Sequence, residues 1–201
     1  MYQYSDQQYE EIDFNQADLR EGELRNCIFT RCRFRSARLE EAWTTSCQFI
    51  DCDFAGAALN GSVHTRSAFT NCRFTSVNLF SAKFEECKMV GTDFSNANWD
   101  GMTIVGGDWS YTNMRHANLV KQNLRHVRLV EADLSNSNLM KADLRDADLT
   151  HAILSKVSWN GADLRGAKLD GMDWKALELK GVRIDMGQAV AFARAHGAKV
   201  D

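Results

Sequence analysis

A five-residue period runs through almost the whole chain, and it leaves few folds open. In residues 131–150, EADLSNSNLMKADLRDADLT, leucine recurs at Leu134, Leu139, Leu144 and Leu149. Two places before each sits a small residue (Ala132, Ser137, Ala142, Ala147), and between them lies Asp133, Asn138, Asp143 or Asp148. An α-helix turns by roughly 140° between every fifth residue, so it cannot keep this spacing on one face. A strand, with a period of two, cannot keep it either. A strict short repeat marks one small unit stacked on copies of itself. The phase holds from Phe14 to Ile184, through 35 central positions, of which only Thr44 and His64 are not large and apolar.

The units ADLSN, SNLMK, ADLRD, ADLTH and ADLRG fit the motif A(D/N)LXX. Over roughly residues 12–184 the chain therefore resembles the pentapeptide-repeat family. That resemblance implies an all-β solenoid, a right-handed quadrilateral β-helix in which four pentapeptides form the four sides of one coil. The central residue would fill the axis, the residue two places earlier would occupy a small inward slot, and the other three would face water. Residues 1–12, with Tyr4 and Tyr9 in a degraded phase, read as an N-terminal cap; residues 13–185 read as the solenoid. Residues 186–201 (MGQAVAFARAHGAKVD) drop the repeat, and 187–196 read as a short α-helix ended by Gly197.

The 201 residues make one domain, with no proline to interrupt a ladder and no apolar run near the ~20 residues of a membrane span. The start, MYQYSD, does not read as a signal peptide. All six cysteines (Cys27, Cys32, Cys47, Cys52, Cys72, Cys87) fall in the small inward slot. Parallel inward side chains approach wrongly for disulfides, and no ligand spacing for a metal appears. Buried, reduced thiols are expected, which places the chain in the cytoplasm.

Stacking by twenty gives four columns of central residues. One runs Phe14, Phe34, Phe54, Phe74 and Phe94, then turns aliphatic at Met114 and Leu134. Another holds both exceptions, Thr44 and His64, preceded by Trp43 and Val63. There the pattern predicts either a bulge that leaves Trp43 partly exposed or a swap of which residue points inward. Before the centres, Asn78, Asn98, Asn118 and Asn138 should form a side-chain ladder, and Asp108, Arg128, Asp148 and Lys168 an alternating charge ladder. Gly106-Gly107 fits a tight corner. No nucleophile, metal or phosphate-loop constellation appears, so no cofactor and no enzymatic activity are expected.

The stretches TTSCQFIDCDF and SVHTRSAFTNCRF and the ending RIDMGQAVAFARAHG resemble those of the fluoroquinolone-resistance group of the family, the mycobacterial type and its Qnr relatives. The resemblance implies a homodimer joined at its C-terminal end. Such a dimer mimics duplex DNA and binds DNA gyrase and topoisomerase IV, without binding nucleic acid itself or a membrane. Trp174, Val190 and Phe192 would make the dimer contact. A rod of ~8–9 coils at about 4.8 Å each would double to roughly 80 Å. The repeat never loses phase, as in the mycobacterial type without protruding loops. Because the net charge is only -3, against one charge per ~1.7 Å of duplex, mimicry must come from a patterned acidic side. Asp133, Asp143, Asp148, Asp163 and Asp173 are the candidates for it. The alternative is a non-catalytic scaffold that binds another protein through a patch at Trp43 and Val63.

Overall fold

The computed structural model describes residues 3–200 and shows the coil. On its first side, three-residue strands at Gln3–Ser5, Glu23–Arg25, Trp43–Thr45, Val63–Thr65, Lys83–Glu85 and Thr103–Val105 stack in parallel. On the second, Gln8–Glu10, Ile28–Thr30, Gln48–Ile50 and Ala68–Thr70 do the same. The register is twenty residues throughout: Tyr4 lies beside Leu24, Leu24 beside Thr44, Thr44 beside His64. Elsewhere single bridging residues carry the ladder, from Asp13 beside Arg33 to Asp163 beside Arg183. Residues 3–10, part of the expected cap, already run in this register.

Each side must turn into the next, and one residue does the turning. Two places after nearly every centre, from Asp6 to Gly181, the backbone has positive φ. Bulky residues such as Tyr111 (φ 60), His116 (φ 61) and Lys156 (φ 56) accept this conformation at corners. It costs an L-residue roughly 1–2 kcal/mol, and the ladder bonds on both flanks hold it in place. Nine of the thirteen glycines occupy this corner position, which is the trace it leaves in the sequence.

The axis is filled as the period predicts. Phe34 stacks on Phe54 at 4.7 Å and 3°, Phe29 on Phe49 at 4.8 Å and 3°, and the two columns meet edge to face. All six cysteines are buried and unpaired, and the thiols of Cys52, Cys72 and Cys87 donate to carbonyls of the preceding coil. Burial pushes the Cys47 thiol up to about 11 and the Cys87 thiol up to about 12.

Thr44 and His64 correct the expected bulge and the expected swap alike, while Trp43 is exposed as the first of these has it. There is no bulge and no swap: both side chains point inward and are 1% exposed. Ser62 gives its proton to the Leu59 carbonyl at 2.6 Å, so imidazole Nε2 donates to Ser62 Oγ at 2.9 Å. Nδ1 then accepts from Thr44 Oγ1 at 2.8 Å. Polar centres survive here because each partner is itself polar and local.

Burial lowers the His64 pKa to about 3. The unfolded chain takes up that proton near pH 6.5, the folded one only near 3, so stability is complete above 6.5 and falls with acid. Between pH 6.5 and 4.5, above the carboxylate range, we expect a loss of about 1.4 kcal/mol per pH unit. Denaturant melts of the His64→Phe variant should lose that slope, because Thr44 can bond Ser67 Oγ (3.0 Å) and Ser62 keeps Leu59.

Among the described residues the ladder opens twice. Between Asn96–Gly106 and Arg115–Arg125, the backbone N–H groups of Asn96, Trp99, Gly101, Gly106, Asn118 and Asn123 make none of their ladder bonds. Here the phenylalanine columns end, Trp99 and Trp109 replace smaller centres, and Met102 fills a small slot. The Gln122 amide spans the opening, donating to the Met102 carbonyl and accepting from Ile104 N–H at 3.5 Å. The second opening separates Ala152–Trp159 from Asp173–Glu178. Met172 and Leu177 stand in small slots there, and residues Trp174–Ala176 form a 3-10 turn in place of a ladder side. Trp174 is thus not the plain central residue that the period predicts.

Candidate partner-binding surfaces

The five candidate acids lie on three of the four sides. Asp143 and Asp163 neighbour each other on the first side, Asp148 is on the second, and Asp133 and Asp173 share the third. Four of them already hold a base. Arg145 grips Asp143 through Nε at 2.8 Å and a terminal nitrogen at 2.5 Å. Arg165 grips Asp163 in the same way (2.8 and 2.7 Å), and Arg183 adds a contact at 3.3 Å. Those guanidiniums hold both carboxyls low, Asp163 at about 2. Burial works to raise Asp148, but Thr150 and Lys168 outweigh it. Asp133 meets Arg115 at 3.3 Å. Asp173 caps the 3-10 turn by accepting from Lys175 N–H at 3.0 Å. The structure therefore gathers Asp143 and Asp163 into one arginine-laced strip and leaves the others apart from it.

The expected ladders are also mostly broken into local pairs. In the asparagine column only Asn98 reaches its neighbour, donating to Asn78 Oδ1 at 3.1 Å. Asn78, Asn98 and Asn138 instead accept from the backbone N–H two residues ahead. In the charge column Arg128 meets Asp108 at 3.7 Å and Lys168 meets Asp148 at 3.5 Å, with no ion pair between Arg128 and Asp148.

Trp43 stands 58% exposed on the first side, with Val63 half-buried beside it in the next coil. A pair of this kind is small for an interface but large for a solvated face.

At the other end, a helix spans Met186–Ala195 and will be called α1. Asp185 caps it, accepting from Gln188 N–H while the Gln188 side chain accepts from Asp185 N–H, a reciprocal capping box. Gln188 then does a second job that the sequence reading missed. Its Nε2 donates to the Ala167 carbonyl (2.9 Å), which the last coil would leave orphaned, and to the Leu164 carbonyl (2.7 Å), which also accepts from Ala167 N–H. Gln188→Ala should cost about 1–3 kcal/mol and free α1, read as faster proteolysis after residue 185. Of the three predicted dimer residues, Trp174 and Phe192 meet edge to face at 6.4 Å; they and Val190 remain half-buried at the end of the rod.

Among the described residues, no group of three or more His, Cys, Asp and Glu side chains could hold a metal ion. Among the same residues no helix is long and apolar enough to cross a membrane.

A family model described as pentapeptide repeats matches residues 10–43, 47–85, 108–140 and 142–173. The unmatched stretch 86–107 runs into the mid-rod opening. Among curated protein sequences no match is found. A trypsin-treated form of QnrB1, a plasmid-mediated fluoroquinolone resistance protein, superposes with a TM-score of 0.87 at 21% identity, covering 99% of this chain and 100% of that one. Full-length QnrB1 gives 0.72 at 18% identity, over 98% and 100%. HetL, involved in heterocyst differentiation regulation in the cyanobacterium Nostoc sp. strain PCC 7120, gives 0.60 at 23%, over 91% and 88%. These likenesses establish a shared solenoid, and its matched repeats and twenty-residue register show that the chain belongs to the pentapeptide-repeat family.

Proposed function

We propose that this protein is a non-catalytic, cytoplasmic partner of DNA gyrase, with topoisomerase IV as a second target. It would occupy the duplex-binding surface of the enzyme and so inhibit it or shield it from quinolones or natural poisons. The observation that carries this reading is the end-to-end congruence with QnrB1, whose described role is fluoroquinolone resistance. A shared fold does not by itself transfer a function, and HetL on the same solenoid serves another. The C-terminal ending supports a homodimer through α1, Trp174, Val190 and Phe192.

The charge pattern shapes the proposal. Asp133, Asp143, Asp148 and Asp163 are held by arginine or lysine, so contact with a basic groove would exchange one set of cations for another. Duplex DNA instead releases condensed counterions. Binding to purified gyrase, measured over a range of salt, should therefore weaken less steeply than duplex binding does, and duplex should compete with it. Phe192→Asp should give a monomer with weaker binding, its coil unchanged by circular dichroism. Absence of binding, or binding that duplex does not displace, would sink the reading. The second reading, a scaffold that docks another protein, rests on exposed Trp43; Trp43→Ala would then abolish partner capture while leaving gyrase untouched.

A further inference from the structure

The second opening of the ladder bears on binding in a way that the rest of the rod does not. On two adjacent sides, Leu154, Lys156 and Trp159 donate no backbone ladder bond, and the carbonyls of Ala152 and Val157 accept none. One coil earlier every equivalent bond is made: Leu134, Asn136 and Leu139 donate to Ile153, Ser155 and Ser158, and Ile153 and Ser158 donate to Ala132 and Ser137. The opposite lip does not close the gap: Trp174–Ala176 form a 3-10 turn in place of a ladder side, and the Asp173 carbonyl accepts from Ala176 N–H at 3.1 Å. Its Glu178 carbonyl is met by the Trp159 indole Nε1 at 2.7 Å, where the ladder would use the Trp159 backbone N–H. A side chain thus acts as a strut between lips that no backbone ladder bond joins. Two contiguous clefts of about 430 and 370 Å³ fill the space, sharing Leu154, Lys156, Ala176 and Leu177.

We propose that this slot is an acceptor for an extended peptide segment of a partner protein, added in parallel as a substitute ladder side. Five main-chain groups along one lip, two acceptors and three donors, specify another main chain, and no isolated ion or small polar ligand would satisfy them together. The rod fixes the pairing. One residue of the incoming segment donates to the Ala152 carbonyl and accepts from Leu154, and the residue two further on accepts from Lys156. The residue five further on donates to Val157 and accepts from Trp159. Between them the segment must turn a corner three residues after the first contact, where positive φ favours glycine or asparagine. The rims carry Lys156 on one lip and Asp173 and Glu178 on the other, so the slot selects backbone shape and small side chains before charge. The mid-rod opening is a weaker candidate, since Gln122 already spans it at two points. The acceptor slot goes beyond the gyrase reading and stands or falls separately from it.

The test is amide hydrogen exchange on the intact protein with a blocked synthetic peptide of residues 131–140, the chain's own ladder segment one coil before the Leu154–Trp159 lip. In the free protein, the amides of Leu154, Lys156 and Trp159 should exchange far faster than those of Leu134 and Leu139. Excess peptide should slow the first three at least tenfold. A peptide N-methylated at the amides that would face Ala152 and Val157 should not. Three results would each overturn the proposal. The amides could be slow in the free protein at every concentration, they could become slow with rising protein concentration alone (a second copy in the slot), or saturating peptide could leave them fast.

Discussion

Phe54→Ala is expected to destabilise the protein by about 3–5 kcal/mol, the range for truncating a buried phenylalanine. Phe54 is 1% exposed and lies in the middle of a column, 4.7 Å from Phe34 and 4.9 Å from Phe74, with Phe49 edge-on at 5.4 Å. The backbone of each coil is pinned by ladder bonds above and below, so the walls cannot collapse onto the void. In a stacked array each coil contacts only its neighbours, and damage should stay local. Hydrogen exchange should therefore quicken for amides between Phe34 and Phe74 while those of Leu134 to Leu149 keep their rates. The mid-rod opening makes this partition sharper, because the ladder on two sides is interrupted there. Phe54→Leu, which keeps most of the volume, should cost less than about 1.5 kcal/mol.

Gly107→Ala should cost about 2–5 kcal/mol, from an overpacking cost of roughly 1–3 and a left-handed backbone cost of roughly 1–2. Gly107 stands in a small inward slot, not at a corner, yet has φ 91. A Cβ there would sit 2.2 Å from the Cys87 carbonyl oxygen and 2.9 Å from its nitrogen, both backbone atoms fixed in the preceding coil. That carbonyl also accepts from Asp108 N–H at 2.9 Å, so it cannot move aside without breaking the ladder. Gly106→Ala is the control. Its new Cβ would meet only the flexible end of Glu86, in a corner conformation that Tyr111 and His116 already tolerate. Equal losses in chemical denaturation for the two variants would contradict this account of Gly107.

The solenoid was legible in the sequence because its rule is one-dimensional: an apolar centre every fifth residue specifies what lies inside. What the rule does not encode is how coils adjust when one slot is overfilled. Met172 and Leu177 are visible as oversized residues, but only the folded coil shows that two on adjacent sides pull the ladder open, while Met102 is bridged by Gln122. Polarity at a centre argues against burial, so the sequence marks the Thr44–His64 pair as an irregularity. Partners such as Ser62 and Ser67, one slot away in three dimensions, reverse that argument. A column groups the acidic candidates but says nothing about arginines two residues ahead, such as Arg145 and Arg165, that fold back onto them. Gln188 looked like an ordinary helix residue, and the carbonyls it satisfies lie 21 and 24 residues away.

The central claim, that the rod engages a type II topoisomerase, is tested most directly by DNA supercoiling with purified gyrase and the protein titrated in, with and without a fluoroquinolone. The account predicts inhibition of supercoiling or rescue from the drug at micromolar protein, lost with Phe192→Asp. No effect in either arm, with the protein folded and in excess, would contradict it and leave the exposed Trp43 face as the place to seek a partner.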